Sequence, residues 1–209
     1  MNNSKQIITT GLLLMLFAVI GGSLVGATFE GTKQQIADNE RQAMLQTLNT
    51  ILPVDTYDND LINEAIILEG DNRLGQTEPS PAYLAKKDGK VTAVILSVIA
   101  PDGYSGAIKL LVGIRADGTL AGVRITQHKE TPGLGDGIEI KRSNWVLGFN
   151  DKSLTNPDLH GWQVKRDGGQ FDQLTGATIT PRAIVKAVHQ SLLYFDRNKP
   201  KLLKNITHE

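Results

Sequence analysis

Three threonine hydroxyls, those of Thr175, Thr178 and Thr180, crowd the stretch Asp172-Gln173-Leu174-Thr175-Gly176-Ala177-Thr178-Ile179-Thr180-Pro181. Beyond Pro181, the residues Ile184, Val185, Val188, Leu192 and Phe195 recur at helical spacing and mark one apolar face. Thr180 before Pro181 reads as the start of that helix: a capping hydroxyl, then a residue whose missing N–H costs nothing in a first turn. Thr175 to Thr178 then lies just upstream of a helix N-terminus, where unpaired N–H groups and partial positive charge suit a phosphate. Gly176 and Ala177 keep bulk away, so a large group can approach the backbone. Residue chemistry alone describes a hydroxyl-rich turn before a helix, and it does not choose among the three oxygens.

A second stretch with ligand-binding character is Glu130-Thr131-Pro132-Gly133-Leu134-Gly135, which follows a strand ending near His128. Its simplest reading is a tight loop into a helix covering Ile138 to Phe149. The spacing from Gly133-x-Gly135 to Gly137 does not make a dinucleotide fingerprint, and the surrounding strands read as hairpins rather than βαβ units. There is no Gly-Lys-Ser/Thr, so the loop is not a P-loop.

The pattern Asp172-x-x-Thr175-Gly176-Ala177-Thr178 resembles the flavinylation motif of the FMN-binding domain in Rnf and Na⁺-pumping NADH:quinone oxidoreductase complexes. Tyr104-Ser105-Gly106, followed at a distance by Glu130-Thr131-Pro132-Gly133-Leu134-Gly135, resembles the other half of that domain. The resemblance covers nearly the whole chain in order. The short form, with Ala100 to Ala107 and Gly168 to Asp172, is most similar to the G-subunit family of the Rnf (Rsx) complex. It implies that FMN is esterified through its phosphate to Thr178, the last threonine of the motif. It further implies that a separate flavin transferase reads Asp172 and the Gly176-Ala177 backbone. Thr175 matches the position where serine and threonine alternate, which fits a turn-stabilising hydroxyl. Thr180, as the helix cap, has its oxygen already occupied. Glu130, Thr131, Gly133, Leu134 and Gly135 are expected beside the isoalloxazine ring, because small residues with one carboxylate suit its flat face. The implied partners are the other Rnf/Rsx subunits, and the implied activity couples electron transfer between reduced ferredoxin and NAD to ion movement. In some bacteria the same complex keeps a redox-sensing transcription factor reduced.

The elements that would position these loops are legible in turn. From Gln6 to Phe29 no side chain is charged, and roughly 20 apolar residues span a bilayer. Val25-Gly26-Ala27 has the look of a signal cleavage site, but the apolar run exceeds a signal-peptide core of about 7–15 residues, so an uncleaved anchor is favoured. Lys5 before the span places the N-terminus in the cytoplasm, and a periplasmic flavin domain on the inner membrane is what the resemblance implies. Lys33 to Leu52 reads as a polar stalk helix with a stripe of Ile36, Ala43, Leu48 and Ile51, stopped by Pro53. Glu64 to Leu68 is a candidate strand, and Glu78-Pro79-Ser80-Pro81 a breaker. Two hairpins follow, turning at Lys87-Asp88-Gly89-Lys90 and Ala116-Asp117-Gly118-Thr119. Trp162 to Lys165 reads as one more strand, and the tail after Phe195 as polar and frayed.

The expected fold class is therefore α+β: a transmembrane helix, then a mostly antiparallel hairpin sheet packed with helices. The expected divisions are an anchor over 1–29, a helical stalk and linker over 30–81, an FMN-binding domain over 82–197 and a polar tail over 198–209. A net charge of +0 gives no reason to invoke nucleic acid. Zero cysteines exclude disulfides and thiolate-held metal or iron–sulfur sites in this chain. His128, His160, His189 and His208 lack metal-ligand spacing and read as structural or surface residues. Lys165 and Arg166 lie near enough in sequence to approach a phosphate, against their ordinary reading as solvated side chains beside a turn. Two other function classes compete with an electron-carrying subunit. A stand-alone flavin reductase would need acid–base residues around a substrate pocket, and no such constellation is present. A non-redox anchored binding module would lack flavin altogether.

Overall fold

A computed structural model describes residues 3–204, and the chain divides after Met44 into two units. Helix α1 runs without a break over Asn3–Ile51, so the uncharged run and the polar stalk share one helix. In the first unit its apolar side chains, from Ile7 to Phe29, are exposed all round. By length and composition this helix is apolar enough to cross a membrane. The hydroxyls of Thr9 and Thr28 donate to the carbonyls of Lys5 and Leu24 one turn back, which satisfies them inside the helix.

The second unit is built on five antiparallel strands in the order β1-β2-β3-β4-β5: Ile66–Leu68, Ser80–Lys87, Lys90–Ala100, Ile108–Arg115 and Leu120–Gln127. Both hairpins turn where Asp-Gly stands. Asp88 and Gly89 have φ of 49° and 72°, the left-handed values a two-residue connection needs. Ser80 and Pro81, expected to break structure, instead begin β2. Pro81 is tolerated because it lies beyond the last β2–β3 backbone pair, where its missing N–H breaks no bond to β3, and its carbonyl accepts from Ser97 Oγ at 2.7 Å.

Helix α2, Ile179–Leu202, packs on one sheet face. Its stripe of Ile184, Val185, Val188, Leu192 and Phe195 is buried with Leu84, Val94, Leu96, Leu110 and Val112. The other face takes the last turn of α1. A Cβ on Gly113 would come within 2.3 Å of Ile51 Cγ2, so the missing side chain there makes room for the helix end. Arg124 completes that joint, its Nε donating to Thr50 Oγ1 (3.0 Å) and its Nη2 to the Thr50 carbonyl (2.6 Å), a cation at a helix C-terminus.

Three expectations are corrected. Ile138 to Phe149 is not one helix but two 3₁₀ turns, Gly135–Ile138 and Trp145–Phe149. Ser143 interrupts it, its Oγ donating to the Gly137 carbonyl and accepting from Trp145 N. Trp162 to Lys165 forms no strand; Val164 makes one isolated parallel bridge to Phe171, and Trp162 packs on Phe171 and His189. The chain beyond Phe195 is not frayed as far as Leu202: α2 continues there because Leu202 is buried in the core. His208 and the end of the expected tail lie outside the described residues.

Candidate cofactor site

Three segments meet at the N-terminal end of α2: the loop after β3, the loop after β5 and the turn that leads into the helix. Between them is a cleft of about 340 Å³. Tyr104 comes from the first loop, Glu130, Thr131, Leu134 and Gly135 from the second, and Gly176, Ala177, Thr178, Ile179 and Thr180 from the third. Eight of the residues expected from sequence are thus brought together. Asp172, Thr175 and Gly133 are not among the lining residues. Asp172 turns outward, its carboxylate paired with Lys165 and its carbonyl accepting from Trp145 Nε1 at 2.7 Å. Thr175 is exposed. Gly133, at φ 78°, shapes the loop instead, its N–H donating to the buried Asp136 carboxylate at 2.8 Å.

Thr180 is not the helix cap. Helix α2 begins at Ile179 with Thr178 at the N-cap position, and Pro181 falls at the third helical residue. Thr180 is fully buried and its hydroxyl donates to Glu130 Oε2. Glu130 is itself 4% exposed, and its Oε1 accepts from Ser105 N at 2.9 Å, so one carboxylate joins all three segments. The backbone of Glu130 is held as well: its N–H donates to His128 Nδ1 at 3.0 Å. That acceptor role places the ring proton of neutral His128 on Nε2, which lies 2.7 Å from Glu139 Oε1.

Thr178 differs from its neighbour. It makes no side-chain capping bond, and it lines the cleft half-buried. The N–H groups of Thr178, Ile179 and Thr180 precede the first intrahelical acceptor, and Pro181 has none to offer. Glycine is required beside them. Gly176 has φ 78°, and a Cβ there would fall 2.7 Å from Leu134 Cδ2. A Cβ on Gly135 would fall 2.9 Å from Glu130 Cβ.

Among the described residues no lysine or arginine lines the cleft. Lys165 is engaged by Asp172, and Arg182 forms a two-pronged pair with Asp167 (2.6 and 2.7 Å) that holds the Asp167 carboxyl below its usual range. Tyr104 and Ile179 are lining residues that sequence reasoning passed over. Their signal was available, since both are apolar or aromatic side chains inside the quoted motifs and both remain exposed, at 68% and 43%. Among the described residues no cluster of His, Cys, Asp or Glu has metal-binding geometry.

Two family descriptions match the chain: an FMN-binding domain over residues 103–193 and an RnfG N-terminal region over residues 1–51. A Pseudomonas aeruginosa protein, described as the G subunit of an ion-translocating oxidoreductase complex, is 50% identical over 199 residues, 95% of this chain and 93% of that one. One of the same description from Vibrio cholerae is 48% identical over 192 residues, 92% and 91% of the two chains. The chain belongs to this G-subunit family. The crystal structure of Shewanella oneidensis NqrC aligns with a TM-score of 0.49 at 22% identity, over 69% of this chain and 74% of that one.

In this member of the G-subunit family, the FMN-binding match contains every residue that lines the cleft. The cleft suits such a cofactor on its own chemistry. It has free backbone donors and an unengaged hydroxyl at a helix N-terminus for a phosphate, and Tyr104, Leu134 and Ile179 at its mouth for a flat ring.

Proposed function

We propose that this chain is the flavin-carrying subunit of its complex, with FMN esterified through its phosphate to Thr178 Oγ1. The reading places the second unit in the periplasm, tethered to the inner membrane by a single span between Gln6 and Phe29. It is carried by the state of three hydroxyls. Thr178 lines the cleft and has no hydrogen-bond partner among the described residues, Thr180 is buried and donates to Glu130, and Thr175 lies outside the cleft.

Attachment is a phosphoryl transfer. Thr178 Oγ1 forms a bond to phosphorus while an anhydride P–O bond of an activated flavin phosphate breaks. The leaving phosphate keeps the bridging oxygen, and the hydroxyl proton passes to a base of the transferase. No electrons change hands. A phosphate monoester carries about −1.5 to −2 near neutral pH, whereas the diester formed on Thr178 carries one negative charge. A helix N-terminus supplies only about half a positive charge, and no side-chain cation among the described residues lines the cleft. The site is therefore better matched to the ester than to free FMN.

The flavin supplies the redox chemistry when bound. Glu130, Leu134, Gly135 and Gly176 shape the wall against it, and the α2 amides hold the phosphate. The other complex subunits exchange electrons with it, and a flavin transferase loads it. Co-expression with that transferase followed by denaturing gel fluorescence tests the assignment. Wild type and Thr175→Ala should fluoresce and Thr178→Ala should be dark. A fluorescent Thr178→Ala band would put the acceptor elsewhere.

A further inference from the structure

We infer that Glu130 is a positioning residue that selects which threonine is loaded: it ties up Thr180 and sets the first turn of α2 so that Thr178 alone is presented. This rests on the proposal that FMN is esterified in this cleft. Glu130 Oε2 accepts from Thr180 and Oε1 from Ser105 N, so each carboxylate oxygen holds one side of the joint. A hydroxyl that donates to a carboxylate is a better nucleophile in principle. Thr180 nevertheless has no exposed surface, so an electrophilic phosphorus cannot reach it while Glu130 holds it inward. Gly135 is built around the same contact: a Cβ there would meet Glu130 Cβ at 2.9 Å, Glu130 Oε2 at 3.2 Å and Thr180 Oγ1 at 3.4 Å. The His128 bond to Glu130 N fixes the backbone from which the carboxylate projects. Thr178, two residues before the held hydroxyl, is left facing the cleft.

The test uses the full-length chain co-expressed with the transferase. Peptide mass spectrometry measures FMN on each threonine per folded molecule, the folded fraction being taken from thermal melts. Glu130→Ala should lower Thr178 occupancy at least about tenfold, or move FMN onto Thr175 or Thr180, because small misplacements of a reacting group are costly in rate. Glu130→Gln keeps both contacts, its amide oxygen accepting from Ser105 N and its amide nitrogen donating to Thr180, so it should load close to wild type. Thr180→Val should lose loading as Glu130→Ala does, and Thr180→Ser should keep it. Folded Glu130→Ala or Thr180→Val protein loaded like wild type overturns the inference, as does Glu130→Gln failing as badly as Glu130→Ala. Unfolding of both Glu130→Ala and Thr180→Val also overturns it, because the pair would then be a requirement of the fold. Wild type without FMN on Thr178 would instead refute the underlying proposal.

Discussion

Gly176→Ala separates two costs that the structure predicts to be very unequal. The backbone at Gly176 is left-handed, with φ 78°, and an L-residue there costs about 1–2 kcal/mol. The added Cβ would also lie 2.7 Å from Leu134 Cδ2, but the next atoms of Leu134 are 3.8 and 3.9 Å away. Leu134 is 46% exposed, so its tip can swing outward with little loss of buried surface. The expected total is about 1–2 kcal/mol, nearly all from the backbone, or about 2–8 °C in Tm for a unit of this size. Both tryptophans, Trp145 and Trp162, lie in the second unit, so fluorescence-detected melting of the detergent-solubilised chain without flavin reports on it selectively. A double-mutant cycle with Leu134→Ala should show coupling below about 0.5 kcal/mol, because removing the leucine relieves the overlap and leaves the strain. Wild-type stability in Gly176→Ala would refute the reasoning. So would full recovery in Gly176→Ala/Leu134→Ala, which would make the clash the cause.

Phe195→Ala should destabilise the second unit by about 3–5 kcal/mol, since Phe195 is 1% exposed between α2 and the sheet; a change under about 1 kcal/mol in urea unfolding would contradict the packing. His189 stacks on Trp162, and burial holds its pKa below the ordinary 6.5. The unfolded chain therefore takes up the proton more readily, so this contribution is complete above pH 6.5 and is lost as pH falls below it, at no more than about 1.4 kcal/mol per pH unit. His189→Gln should flatten that part of the stability profile, and an unchanged slope would count against it. A reporter that works only when exported should be active when fused after Glu209, and activity there of a reporter that works only in the cytoplasm would reverse the proposed topology. Thr178→Ala titrated with free FMN should bind no tighter than about 1 μM by fluorescence quenching; nanomolar binding would remove the reason for an ester.

What the sequence made legible was local. The α2 stripe and the Asp-Gly turns depend on residues a few positions apart, and the structure places them as expected. Thr180 was misread because its partner lies 50 residues away: Thr-Pro is a sound local cap signal, but Glu130 draws the hydroxyl into the core and the helix starts earlier. Trp162 and Val164 alternate like a strand because both are buried, yet they fill the gap beside Phe171 without a neighbouring strand to pair with. The end of α2 was hidden in a similar way. Asn198, Lys199 and Pro200 look like a frayed terminus, and only the burial of Leu202 in the core explains why the helix passes through them.

The hydrogen-bond partners in the cleft give a physical reason for the proposed covalent bond. A tight reversible site needs convergent polar groups as well as apolar walls. In this cleft the two buried polar side chains are committed to the joint: both Glu130 oxygens are engaged and Thr180 is spent on one of them. What remains is a short row of backbone N–H groups and the hydroxyls of Tyr104, Thr131 and Thr178, with no lysine or arginine lining the cleft among the described residues. Adding such a cation would strengthen binding of a dianionic phosphate, but it would also remove the advantage of the singly charged ester. On the proposed reading, the ester takes retention away from the walls altogether. Tyr104, Leu134 and Ile179 can then stay exposed at the mouth, where an electron-exchanging neighbour needs close approach, without the cofactor being lost.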